Sequence, residues 1–401
     1  MPKTIATTPS WYWPDGVPRV LGTPPYFVEE AVVERWLKHS PEISLLGSIS
    51  KVLSARELAE QIEAIAGNLN ILASSSDQLL AVVAGPTLDG AVLTLGAIAS
   101  SLKVLLIPSE GDIKSFSNDR DLKFVCDEIG AEILSNLGIN ATNVNSLKDP
   151  IGQDQAKLAI SRNLNDAVIG LPFDKGVAWH SHRSVLAGAI SMQAFYSSEQ
   201  ESTWAITYSP CSWQGLVGMI TALLNGSTCY FTPSGQAGKE LGEMISPRWL
   251  FSSIEDALDT WVSGGRKKKS NYTTGQSAIV GINGVFSSDA RRDIDNSVGS
   301  ALTLLGSPVT FAMLGAHPSW YLDEAAGIAL PNMHVTPADP DNGEPITTLW
   351  ELIDEAMISA WAPSLAPSLE GEAVDRLSGK RYLTGVLAAS DPNGMLYVLD
   401  D

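Results

Sequence analysis

The chain has 401 residues, a formal net charge of −19, a hydrophobic fraction of 44% and a charged fraction of 18%. That length supports about two to three compact units, and the composition is that of a globular core, which excludes a disordered or fibrous chain. The acidic balance argues against a nucleic-acid backbone or an anionic membrane as partner, since both are held by lysine and arginine. Cys126, Cys211 and Cys229 are odd in number and far apart, so no disulfide framework is expected. The opening MPKTIATTPSWYWPDG lacks the apolar run of a signal peptide, and no apolar run reaches ~18 residues, so the expectation is a cytoplasmic protein without a membrane span.

In chain order, the first 26 residues carry Pro2, Pro9, Pro14, Pro18, Pro24 and Pro25 and read as an extended arm packed on a surface. From Phe27 to His39, Val28, Val32 and Trp36 recur at helical spacing. Ser54-Ala55-Arg56-Glu57 is a capping box, followed by Leu58, Ile62, Ile65 and Leu69 on one helix face. Leu79 to Ala84 is an apolar strand ended by Gly85-Pro86, with a helix from Leu88 to Ser101 and a second apolar strand, Lys103 to Ile107. Such fully apolar strands predict a parallel βαβ unit covered on both faces.

The same pattern returns as a strand at Trp204–Tyr208, a helix at Trp213–Leu224 and a strand at Thr228–Phe231. Between the two units, Asp166 to Ser184 reads as two strands, the second at Gly176–Trp179, and a helix starting near Arg183. Gly264 to Ser270 is a basic run among Gly, Ser and Asn, read as a solvated loop ahead of a docking site for an acidic partner. Val309–Met313 is a further strand, Thr336–Glu344 a turn-rich connection, and Arg381–Leu387 with Met395–Leu399 a hairpin. The predicted fold class is α/β. It comprises a first lobe with its arm (1–165), a related second lobe (166–330), both with mostly parallel sheets, and a small β-rich subdomain (331–401).

Six segments in this order resemble the N-terminal domain of the acyl-adenylate-forming superfamily of acyl-CoA synthetases, peptide-synthetase adenylation domains and luciferases. They are SARELAEQIEAIAGNL, LLAVVAGPTLDGAVLTLGAIASSLKVLLIP, KGVAWHSHRSVLAG, PCSWQGLVGMITALLNGST, AAGIALPNMHV and YLTGVLAASDPNGMLYV. The resemblance implies a known chemistry, attack of a carboxylate on the α-phosphate of ATP. That needs donors to phosphate, an acid for Mg²⁺, an acid for the ribose and a catalytic lysine.

Each part departs from the superfamily's pattern. In place of the phosphate loop TSGTTGxPKG the chain has Ala167 to Gly176, AVIGLPFDKG, where only Lys175 and Gly176 match, as a vestigial nucleotide-loop region. The hydroxyls are missing, Pro172 has no N–H, and Asp174 adds negative charge. In place of YGxTE stands Leu314-Gly315-Ala316-His317-Pro318, without its Thr and Glu. In place of TGD stands Thr384-Gly385-Val386, and valine accepts no hydrogen bond from ribose. The superfamily's lysine-bearing C-terminal lid domain is also expected to be missing.

No residue is assigned a catalytic role. His180 and His182 lie two apart with no third ligand at metal spacing, so no metal site is expected and both read as structural. There is no GxSxG elbow, and Gly281-Ile282-Asn283-Gly284 is not a dinucleotide fingerprint. Trp213, His182, Gly315, His317 and Thr384 are candidate pocket-lining residues under the resemblance; Trp213 also fits an ordinary core. The expectation is a non-catalytic or repurposed protein in a binding, partner or regulatory role, holding an acyl or aromatic small molecule or a protein, with no cofactor. Two alternatives stay open. One is a divergent acid-adenylating ligase that uses ATP and Mg²⁺ with a separate C-terminal domain. The other is an ATP-independent enzyme using the old acyl pocket through His180, His182 or His317.

Overall fold

The computed structural model describes residues 13–73, 78–116, 122–149, 162–173, 176–196, 202–245, 247–258, 277–283, 287–297, 299–319, 322, 325–346, 353–378, 381–391 and 395–399. A π-helical turn, Glu30–Glu34, runs into α1 (Arg35–His39), and Val28, Val32 and Trp36 are buried as their spacing predicts. β1 (Ser44–Gly47) and β2 (Val52–Ser54) form a hairpin leading into α2 (Ala55–Leu72). Ser54 and Glu57 close the expected capping box there. β3 (Leu79–Val83), α3 (Leu88–Ala99) and β4 (Val104–Ile107) are the first βαβ unit. α4 (Glu110–Phe116), β5 (Leu122–Cys126), α5 (Glu128–Asn136) and β6 (Thr142–Asn143) follow.

β7 (Ile169–Phe173) and β8 (Gly176–His180) pair antiparallel and lead into α6 (His182–Tyr196). β9 (Thr203–Ile206), α7 (Trp213–Leu224) and β10 (Thr228–Phe231) are the second parallel unit. β11 (Trp249–Ser252), β12 (Ser277–Ile282), β13 (Gly299–Ser307), β14 (Phe311–Gly315) and β15 (Ile328–Ala329) join β9 and β10 in one sheet. β16 (His334–Ala338), β17 (Ile353–Trp361), β18 (Ser368–Glu370), β19 (Leu377–Ser378), β20 (Arg381–Ser390) and β21 (Leu396–Val398) end the described chain.

These strands form three sheets. One has the order β18-β8-β7-β4-β3-β5-β6, and a second the order β15-β14-β13-β12-β11-β9-β10-β1-β2. The third, β16-β17-β20-β19 with β21 on β20, is antiparallel throughout. Sheet membership crosses position 165: β1 and β2 enter the nine-stranded sheet, while β7 and β8 enter the seven-stranded one. α3 touches strands of both large sheets, and ten of its twelve residues, Leu88 and Gly90–Ile98, are buried.

The two βαβ units share a local device. The Thr87 hydroxyl accepts the Gly90 N–H at 2.8 Å, and the Ser212 hydroxyl accepts the Gly215 N–H at 3.0 Å. Both helices thus begin on an N-cap with glycine three residues on. A Cβ at Gly90 would stand 2.5 Å from the Gly85 carbonyl oxygen, and one at Gly215 2.0 Å from that of Ser209, so both turns need glycine.

Several boundaries differ from the sequence reading, and two of them have a visible cause. The strand expected at Val309–Met313 is Phe311–Gly315, because the Ser307 hydroxyl accepts the Val309 and Thr310 N–H groups and holds a turn before it. Thr336–Ala338, read as part of a turn-rich connection, belongs to β16. Pro337 is tolerated there because β16 is an edge strand, and the turn begins at Asp339. The basic run at 264–270 lies outside the described residues.

Candidate functional site

The segment that the resemblance sets in place of the phosphate loop is the β7–β8 hairpin. Phe173 pairs with Gly176, so two positions, 174 and 175, separate the strands. Asp174 and Lys175 lie outside the described residues. On its outer edge β8 is paired by β18, with Glu370 opposite Val177, and a Cβ at Gly176 would stand 2.0 Å from the Glu370 carbonyl oxygen. Phe173 meets Tyr382 edge-on, and the Arg376 guanidinium lies 5.5 Å from the Phe173 ring centre. Trp179 is buried with its indole across Gly170, and Lys103 Nζ sits 3.7 Å above that ring and 3.7 Å from Glu370. Pro172, which has no N–H to donate, lies within β7 opposite Val177.

His180 is fully buried. Its Nε2 donates to the Pro308 carbonyl at 2.7 Å, its Nδ1 lies 3.2 Å from the Ser184 hydroxyl, and its ring packs on Phe311. Burial pushes its pKa down to about 4, against the pull of the Pro308 carbonyl. His182, at the start of α6, lies in a second polar cluster. Its Nε2 is 3.2 Å from Arg162 Nη2 and its Nδ1 accepts the Val28 N–H at 3.3 Å. Burial, then the Arg162 charge, push its pKa down to about 3, so the ring is neutral. Arg162 also pairs with Glu29 and covers the Phe27 ring, and burial raises the Glu29 pKa despite that cation. This cluster fastens the 27–39 helix to α6.

On the second sheet, His317 Nδ1 takes the Ser319 hydroxyl at 2.6 Å and the Ser319 N–H at 3.2 Å, while its ring meets Phe195 edge-on. Burial lowers its pKa, opposed by a hydrogen bond with the Phe195 backbone. Those bonds make it the cap of its own turn. Gly315 backs onto the Tyr196 hydroxyl, and a Cβ there would lie 3.1 Å from that oxygen. Trp213 is buried at the start of α7 against Gly306. The Thr384 hydroxyl donates to the Ile358 carbonyl at 2.8 Å and accepts the Val386 N–H at 3.1 Å, and Val386 packs against the main core. Among the described residues no cluster of His, Cys, Asp and Glu has the arrangement to hold a metal ion.

Sequence reasoning missed Asp127. Its carboxylate has no exposed surface and accepts from the Gly85 N–H, the Gly130 N–H at 2.8 Å and the Thr87 hydroxyl at 2.6 Å. It sits at the carboxyl ends of β3 and β5, where the strand order reverses and open α/β sheets commonly take a ligand. The chain fills that place with its own carboxylate. Burial raises the Asp127 pKa, and the three hydrogen bonds oppose the rise. An Asp just before a helix was the available signal.

No protein-family model matches the sequence. No curated protein matches it either. Solved structures do. The luciferase-like enzyme from the nonluminescent Zophobas morio mealworm aligns with a TM-score of 0.78 at 14% identity, covering 96% of this chain and 97% of that one. The o-succinylbenzoate CoA synthetase MenE of Bacillus subtilis, in complex with ATP and magnesium ion, aligns with a TM-score of 0.76 at 13% identity, covering 92% and 79%. ATP-bound MatB from Rhodopseudomonas palustris aligns with a TM-score of 0.75 at 16% identity, covering 93% and 78%. The chain therefore has the α/β fold of the N-terminal domain of the adenylate-forming enzymes, reached through a sequence that shares little with them.

Proposed function

We propose that this chain has given up acid adenylation and uses the fold in a binding or partner role, with an acyl or aromatic small molecule or another protein as its ligand. The observation that carries this reading is the register of the β7–β8 hairpin: Phe173 pairs with Gly176, leaving two residues where the superfamily has a loop wrapped around phosphate. A cradle for a triphosphate needs several converging N–H and hydroxyl donors, and removing one such donor commonly costs ~10²–10³ in rate. Val386 at the ribose position and His317-Pro318 at the metal position support the same reading, since neither Val nor Pro offers an oxygen or nitrogen side-chain ligand.

Isothermal titration with ATP, AMP and an acyl-adenylate analogue, with and without Mg²⁺, tests it. The expected result is no saturable heat from ATP. Tight Mg²⁺-dependent ATP binding overturns the reading. So does pyrophosphate exchange with any member of a carboxylic-acid panel, in the presence of a separately supplied lysine-bearing lid domain.

A further inference from the structure

The small antiparallel sheet carries a row of side chains that the reading above does not use. His334 on β16 pairs with Trp361 on β17, and Ala360 pairs with Tyr382 on β20. Continued by one residue, that register sets Trp361 opposite Arg381. Side chains alternate along a strand, so His334, Trp361 and Arg381 share one face, with Thr336 and Ser359 in the next row. The His334 and Trp361 rings lie 5.2 Å apart, and Trp361 is 38% exposed.

Arg381 is held rigidly and by neutral groups alone. Its Nε donates to the Ser359 hydroxyl at 3.1 Å. Its Nη2 donates to the Thr336 hydroxyl, to the His334 carbonyl at 3.3 Å and to the Ser359 carbonyl at 3.2 Å. Nη1 makes none of these bonds. Among the described residues no carboxylate pairs with this guanidinium, although the protein carries 45 Asp and Glu against 26 Lys and Arg. A cation pinned in place, half-buried and with no acid partner among the described residues, on one face with an exposed indole, is complementary to one negative charge on a flat apolar group. A polyanion does not fit, because one arginine is set in a strongly acidic protein.

We propose that the His334–Trp361–Arg381 row is a receptor for an aryl carboxylate, with its carboxylate on Nη1 of Arg381 and its ring on Trp361. The row lies in the small sheet and its argument uses no group of the β7–β8 hairpin, so it stands apart from the loss of adenylation.

The test titrates the whole protein with benzoate and with benzamide, its uncharged counterpart, by saturation-transfer NMR. Wild-type protein binds benzoate about tenfold more tightly than benzamide. Arg381→Gln removes that preference, and Trp361→Ala weakens both probes about tenfold while keeping it. Absence of saturable benzoate binding by folded wild-type protein overturns the proposal, as does an unchanged preference in folded Arg381→Gln. If Arg381→Gln fails to fold for want of its hydrogen bonds, Trp361→Ala decides alone, since it leaves those bonds in place: unchanged affinities overturn the proposal. ATP is titrated in parallel, so a failure of the hairpin reading and a failure of the aryl carboxylate site are seen separately.

Discussion

The ring of Phe173, at the end of β7, meets the ring of Tyr382, near the start of β20, edge-on with 5.9 Å between centres. This contact joins the hairpin to the small antiparallel sheet, within a cluster that includes Ala178, Val309 and Ala366. Edge-to-face pairs contribute beyond their buried area. Phe173→Ala, at a half-buried position, is expected to cost about 2 kcal/mol in urea denaturation, less than the ~3–5 kcal/mol of truncating a fully buried aromatic. It is not expected to bring ATP binding, because the connection between the strands stays two residues long; calorimetry on the variant checks this.

Asp127 is a structural carboxylate at the point of the sheet where open α/β folds commonly take a ligand. Asp127→Ala leaves the Gly85 and Gly130 N–H groups without their acceptor and is expected to destabilise by about 2–4 kcal/mol. Asp127→Asn keeps one acceptor oxygen but turns an NH₂ toward donors, so an intermediate loss is expected. A denaturation series on the two variants with wild type gives the order.

Asn332 ties down the N-terminal arm. Its side-chain oxygen accepts the Leu21 N–H at 2.7 Å, its NH₂ donates to the Leu21 carbonyl at 3.0 Å, and its φ is +63°. Asn332→Gly keeps the backbone conformation and loses the bonds, at a cost of about 1 kcal/mol. Asn332→Ala adds backbone strain and is expected to cost about 1 kcal/mol more. Both variants should expose 13–26 to limited proteolysis sooner than wild type.

The buried histidines set an acid limit. His180 and His182 have pKa values of about 4 and about 3, below the ordinary 6.5, so over this window the unfolded chain binds more protons than the folded one. Stability therefore rises with pH from about 4 toward 6.5 and is lost on acidification through that window. The raised pKa of Glu29 works in the opposite direction and blunts the slope. His180→Gln, which keeps an amide donor for the Pro308 carbonyl, is expected to flatten the dependence of urea midpoint on pH. An unchanged slope would show that His180 does not contribute.

Features that depend on neighbours in sequence were legible. The Ser54–Glu57 box spans three residues, and both βαβ units announce themselves through apolar strands and punctuation such as Gly85-Pro86 and Asn225-Gly226. The terminal hairpin followed from Asp391-Pro392-Asn393-Gly394, although its first strand runs on to Ser390 and pairs through Ala388–Ser390 rather than ending at Leu387. What escaped depends on distant partners. Nothing near Ser44 says that β1 will lie beside Cys229, and nothing near Trp179 says that its other edge will take Ser368. At the site, the lack of hydroxyls between Ala167 and Gly176 is visible in the letters. The capture of His317 by Ser319, and the alignment of His334, Trp361 and Arg381, become visible only once turns and register are known.

The pairing of β18 with β8 also bears on how the protein is made. As the chain leaves the ribosome, β8 is complete about 190 residues before the strand that covers its outer edge exists, an interval of ~10–40 s at ~5–20 residues per second. Through that interval Gly176–His180 is an open apolar edge, the kind of template to which a neighbouring nascent chain can add. Ser368–Glu370 acts as a late clasp, and production of the folded protein depends on how well that edge is guarded until the clasp arrives.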